Sequence, residues 1–131
     1  MDVSGRVDER LDAVIAITLK NDLGQTLVID AVIDSGFNDA LSLPSAVIQQ
    51  LKFGALPSII VELADGSEAE TQTFTGRVVW DDPRGRIIRI QQGEGRPLVG
   101  MALLLEHRVT IDVRYDGAVR VEPIPGSEED I

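Results

Sequence analysis

Short runs of β-branched and apolar residues, each ended by turn-forming residues, limit what this chain can fold into more than any other feature. Residues 13–19 and 26–33 are two such runs, and Asn21-Asp22-Leu23-Gly24 between them supplies the turn of a hairpin. Five further runs, 58–63, 71–80, 85–91, 108–114 and 118–122, carry the same character. Asp65-Gly66, the stretch from Asp81 to Gly85, and Tyr115-Asp116-Gly117 give them their turns. Helical spacing is confined to two stretches. In 44–53, Val47, Ile48 and Leu51 share a side, with Pro44 in the first turn and Gly54 as the stop. In 101–107, Met101, Leu104 and Leu105 recur at i, i+3 and i+4 directly after Gly100. Seven strands with so little helix leave no material for parallel crossovers, so the expected fold is an all-β, closed or nearly closed barrel with one or two short helices.

With 131 residues and 44% apolar content, the chain can bury one modest core, which implies a single domain. The expected division is a flexible segment at 1–10, a folded domain at 11–124, and a disordered acidic tail at 125–131. No apolar run approaches the ~20 residues of a membrane span, and the first ten residues are charged where a secretory signal is apolar. Both features point to a cytoplasmic protein with no membrane partner.

Composition narrows the chemistry. Cysteine is absent, which removes thiolate nucleophiles, disulfides and cysteine zinc sites. His107 is the sole histidine, so a multi-histidine metal site within the chain is impossible and a serine triad would have to use that residue. At the end of a short helix, His107 reads as a structural cation. Carboxylates remain as the acid–base candidates. Net charge is −10, from 12 basic against 22 acidic residues, which argues against nucleic acid as a partner. Arg84, Arg86, Arg89 and Arg96 form a local basic stretch, but they alternate with Ile87, Ile88 and Ile90 and read as a solvated strand face. Trp80, Phe53 and Phe74 read as core residues.

Asp34-Ser35-Gly36 is an ordinary turn tripeptide when taken alone. Its context is more specific. An apolar strand, Ala31-Val32-Ile33, runs straight into Asp34, and much later a second glycine, in Leu98-Val99-Gly100, precedes the short helix. With these stand the stretch from Phe37 to Pro44, the turn Leu63-Ala64-Asp65-Gly66-Ser67, the strand Gly76-Arg77-Val78-Val79-Trp80, and Pro97-Leu98-Val99-Gly100-Met101 followed by Leu103-Leu104. In these pieces the chain resembles the retropepsin-like aspartic proteases, specifically their small bacterial and archaeal single-domain members.

The resemblance implies a retropepsin-like barrel active as a two-fold homodimer, with Asp34 as catalytic carboxylate and no cofactor or metal. Two carboxylates, one from each half, hold a water between them. Like charges that close cannot both ionise cheaply, so the pair keeps one proton and supplies both a base and an acid. Ser35 and Gly36 would support the catalytic loop, Ser35 by a hydroxyl bond across the axis and Gly36 by allowing close backbone approach. Phe37, Asn38 and Asp39 would contact the substrate, an extended peptide or protein segment. Ala64, Asp65 and Gly66 would form the tip of a closing flap, and Gly100 would be the structural glycine of the second motif. Only one copy of the motif is present, because Asp65-Gly66 and Asp116-Gly117 lack both the intervening hydroxyl residue and the preceding strand. A second chain must therefore complete the site. Many relatives carry Asp or Asn after the Gly-Met pair, where this chain has Ala102, which removes a side-chain hydrogen bond near the short helix. Two other functions fit the same sequence: a catalytically silent dimer of this fold that binds peptides, and a plain β-barrel scaffold.

Overall fold

A computed structural model of the chain describes residues 3–80 and 83–126. Asp81, Asp82 and most of the expected acidic tail lie outside the described residues. Among the described residues the elements run β1 (Val3–Val7), β2 (Ala13–Lys20), β3 (Thr26–Ile33), β4 (Leu41–Leu43), α1 (Ser45–Leu51), β5 (Gly54–Glu62), β6 (Glu68–Val79), β7 (Arg86–Gln92), β8 (Leu98–Val99), α2 (Met101–Leu104), β9 (His107–Ile111) and β10 (Ala118–Pro123).

The strands form one sheet in the order β5-β6-β7-β4-β8-β3-β2-β1-β10-β9, and a further β6–β2 pairing closes its middle. β2 makes that closure by dividing its edge. Its start pairs with β1 through Ala13, Val14 and Ile15, and its end pairs with β6 through Thr18, Leu19 and Lys20. The ring from β6 through β7, β4, β8, β3 and β2 is the closed barrel expected from the strand pattern. Alternation fills it: Ile15, Ile17 and Leu19 of β2 point inward and join Leu41, Leu43, Val78, Ile90, Val99 and Leu103 in one core, all of them buried. Asn21, at the β2–β3 turn, is buried and fully used. Its Oδ1 accepts the Leu23 and Gln25 N–H groups, and its Nδ2 donates to Gln25 Oε1 and the Leu51 carbonyl.

Several elements differ from the sequence reading. Val3–Val7, expected as a flexible lead-in, pairs with both β10 and β2 and buries Val7. β4 and β8 are only 3 and 2 residues long and were not expected at all. Helix α1 stops at Lys52, which takes the left-handed conformation (φ 52°), whereas Gly54 opens β5. Helix α2 ends at Leu104, because Glu106 turns left-handed (φ 68°) and sends His107 into β9.

The β5–β6 hairpin projects from this body. Thr73 to Val78 of β6 pairs with β7, while Glu68 to Thr71 pairs with β5 alone. The register slips between Leu56 and Ile59, and there the buried Thr73 hydroxyl donates to the Pro57 carbonyl at 2.9 Å.

Candidate active site

The site lies where β8 threads between β3 and β4. Val32 and Ile33 run parallel to Leu98 and Val99, and Leu41 pairs with Val99 from the other side. This places Asp34 and Gly100, each the residue following its strand, side by side. The Asp34 N–H donates to the Val99 carbonyl (2.9 Å), the Met101 N–H to the Phe37 carbonyl (2.8 Å), and the Gly100 N–H to the Ala40 carbonyl (3.0 Å). The approach is so close that a Cβ on Gly100 would stand 2.0 Å from the Asp39 carbonyl oxygen and 2.6 Å from that of Phe37. The sequence expectation for Gly100 as a structural glycine therefore has a steric cause.

Asp34 is half-buried, and its Oδ1 accepts the Gly36 N–H at 2.9 Å. A Cβ on Gly36 would lie 3.3 Å from that same oxygen, so glycine leaves the carboxylate room. Ser35 and Asn38 are exposed and Phe37 is half-buried. A cavity of about 430 Å³ opens beside Asp34, with Val32, Ile33 and Leu98 as apolar lining and Asp12, Glu94 and Arg96 around them.

Asp39, expected to contact the peptide, has three hydrogen-bond donors within the chain. Its Oδ1 takes the Ala40 N–H (2.8 Å), and its Oδ2 takes Arg89 Nε (2.7 Å) and Gln91 Nε2 (3.0 Å). The carboxylate is thus turned to partners within the chain. Asp65 is likewise occupied: its Oδ1 accepts the Ser67 hydroxyl (2.5 Å) and the Ser67 N–H (2.9 Å), and these bonds hold its carboxyl below the usual range. Asp65 shapes the hairpin tip, where Gly66 is left-handed (φ 86°) and Ala64 is exposed.

The basic stretch read as a solvated face is a set of braces instead. Arg86 donates to the Ala102 and Leu103 carbonyls at 3.2 and 3.3 Å, supporting α2 from outside. The side-chain support missing at Ala102 is thus supplied by another strand. Arg96 Nη1 bridges Asp8 (2.8 Å) and Asp12 (2.6 Å), pinning the β1–β2 turn to the cavity wall. The Asp12 backbone N–H, followed by Arg96, holds the Asp8 carboxyl below the usual carboxylate range, and Asp8 in turn raises Arg96. Arginines interspersed with isoleucines were the only sign of this in the sequence.

His107 is the first residue of β9 rather than the end of a helix. Its Nε2 accepts from Trp80 Nε1 (3.0 Å), which makes Nδ1 the donor to the Leu105 carbonyl (2.9 Å) and defines a neutral ring. Both nitrogens are committed to structure.

No protein-family model matches the chain, and neither does any curated protein sequence. The fold is that of the retropepsin-like proteins. Among solved structures, a retropepsin-like aspartic protease from Rickettsia conorii is similar over 94% of this chain and 90% of that one, with a TM-score of 0.56 at 19% sequence identity.

Proposed function

We propose that the protein is a homodimeric aspartic endopeptidase in which Asp34 and its symmetry mate cut an extended peptide. The observation that carries this reading is the placement of Asp34. Its half-buried carboxylate is fixed by the Gly36 N–H on a loop locked against Gly100, and it opens onto a cavity where Val32, Ile33 and Leu98 stand among the charged Asp12, Glu94 and Arg96. The ionised carboxylate of the pair takes a proton from the bound water as the oxygen attacks the scissile carbonyl carbon. The protonated carboxyl gives its proton to the carbonyl oxygen, and a proton then passes to the amide nitrogen as the C–N bond breaks. Val32, Ile33 and Leu98 receive the side chain next to that bond.

Ser35 ties the two loops across the axis, while Phe37 and Asn38 contact the peptide. The projecting β5–β6 hairpin closes over it with Ala64, Asp65 and Gly66 at the tip, excluding water from the hydrolytic site. Peptide cleavage by the parent and by Asp34→Asn, read alongside sedimentation, tests this. Loss of cleavage in a folded dimeric variant is expected; a variant that cuts as the parent does would refute it.

A further inference from the structure

We infer that Arg89 is a positioning residue for the Asp34 loop, acting through Asp39, which Gln91 also holds. The inference concerns catalysis and so rests on the proposed protease reading, but its structural content can be measured separately. The loop from Asp34 to Ala40 joins β3 to β4, and its backbone bonds secure it only on the Gly100 side. On the opposite side the hold comes from a side chain. Asp39 is 11% exposed and presents both carboxylate oxygens to three donors, two of which, Arg89 Nε and Gln91 Nε2, come from β7. Residues 89 and 91 are two apart on one strand, so both side chains rise from the same face. β7 is itself registered on β4 through Leu41–Ile90 and Ser42–Gln91. The strand that carries the donors is therefore fixed to the strand the loop leads into.

Asp39 transmits that hold. Its carbonyl oxygen lies against Gly100 with no room for a Cβ, and Ala40, next in the chain, accepts the Gly100 N–H. If Asp39 swings, its contact with Gly100 opens, and with it the stack that carries Phe37 and Asp34. The Arg89 guanidinium is 48% exposed, so as an ion pair it adds little stability. Its effect is to select one loop geometry, and catalysis is sensitive to displacements that hardly change folding.

The test compares the parent with Arg89→Ala and Arg89→Lys, whose ammonium can reach the same Asp39 oxygen. Amide hydrogen exchange is read at Phe37, Ala40 and Met101, with peptide cleavage followed in parallel. In Arg89→Ala, exchange at these amides should speed up about tenfold relative to core amides, and kcat should fall about tenfold with KM little changed. Arg89→Lys should recover most of both. Unchanged exchange at those amides in Arg89→Ala would overturn the inference, as would accelerated exchange with the parent's full kcat. If the parent cuts no peptide, the protease reading fails while exchange still decides whether Arg89 holds the loop.

Discussion

Replacing Gly100 with alanine tests the packing that brings the two loops together. The added Cβ would meet the Asp39 carbonyl oxygen at 2.0 Å, the Phe37 carbonyl oxygen at 2.6 Å and the Phe37 ring at 2.6 Å. Two of these are backbone atoms, so rotation of a side chain cannot relieve the overlap. The loops must part, and the Gly100–Ala40 and Met101–Phe37 hydrogen bonds stretch with them. Overpacking of this kind costs about 1–3 kcal/mol. Two lost backbone bonds add about 1 kcal/mol each. The expected loss is thus about 3–5 kcal/mol, a large share of the ~5–15 kcal/mol available to a domain. At about 3 °C per kcal/mol it corresponds to a fall of about 9–15 °C in thermal midpoint. Gly54→Ala is the control, because its Cβ would meet only Thr75 Cγ2, at an ordinary 3.6 Å, and its midpoint should stay within about 2 °C. Equal midpoints for the two variants in calorimetry would refute the close approach at Gly100.

Gly66→Val should impair cleavage more than folding, since it strains a left-handed hairpin tip that packs on nothing; equal fractional losses in rate and thermal midpoint would make the hairpin merely structural. Asp8 carries a lowered folded-state pKa, so its contribution is present above its ordinary value of 3.8 and lost as pH falls through the lower folded value. The gap in thermal midpoint between the parent and Asp8→Asn should accordingly hold steady at higher pH and narrow as pH falls below the ordinary value of 3.8, and a constant gap would remove Asp8 from the account.

The β2–β3 hairpin was legible in the sequence because it rests on local pattern, alternation that fills the barrel and a turn at Asn21, whereas Asp34 and Gly100 were singled out through the family resemblance. β4 and β8 were not legible, since strands of 3 and 2 residues hold too little pattern to read and exist only because β4 is paired between β7 and β8, and β8 between β4 and β3. β1 was hidden by Ser4 and Arg6 on its outer face, and its partner β10 lies at the far end of the chain. The braces escaped for the same reason. Arg89 meets a carboxylate 50 positions away and Arg96 one 88 away, so only the folded chain reveals what those charges are for. Lys52 and Glu106 set the helix ends against the expected order, because left-handed residues other than glycine follow from packing more than from propensity.

Subunit mixing tests most directly whether one active site is built from two Asp34 carboxylates. The parent, at fixed concentration, is re-equilibrated with a ninefold excess of Asp34→Asn protein, and the initial rate of peptide cleavage is compared with the same mixture containing buffer instead. A shared pair predicts a fall to about one tenth, as nearly every parent chain is drawn into a mixed dimer with one carboxylate. A rate unchanged by the excess, with mixed dimers demonstrated by mass, would show that each chain carries a complete site and would contradict the account.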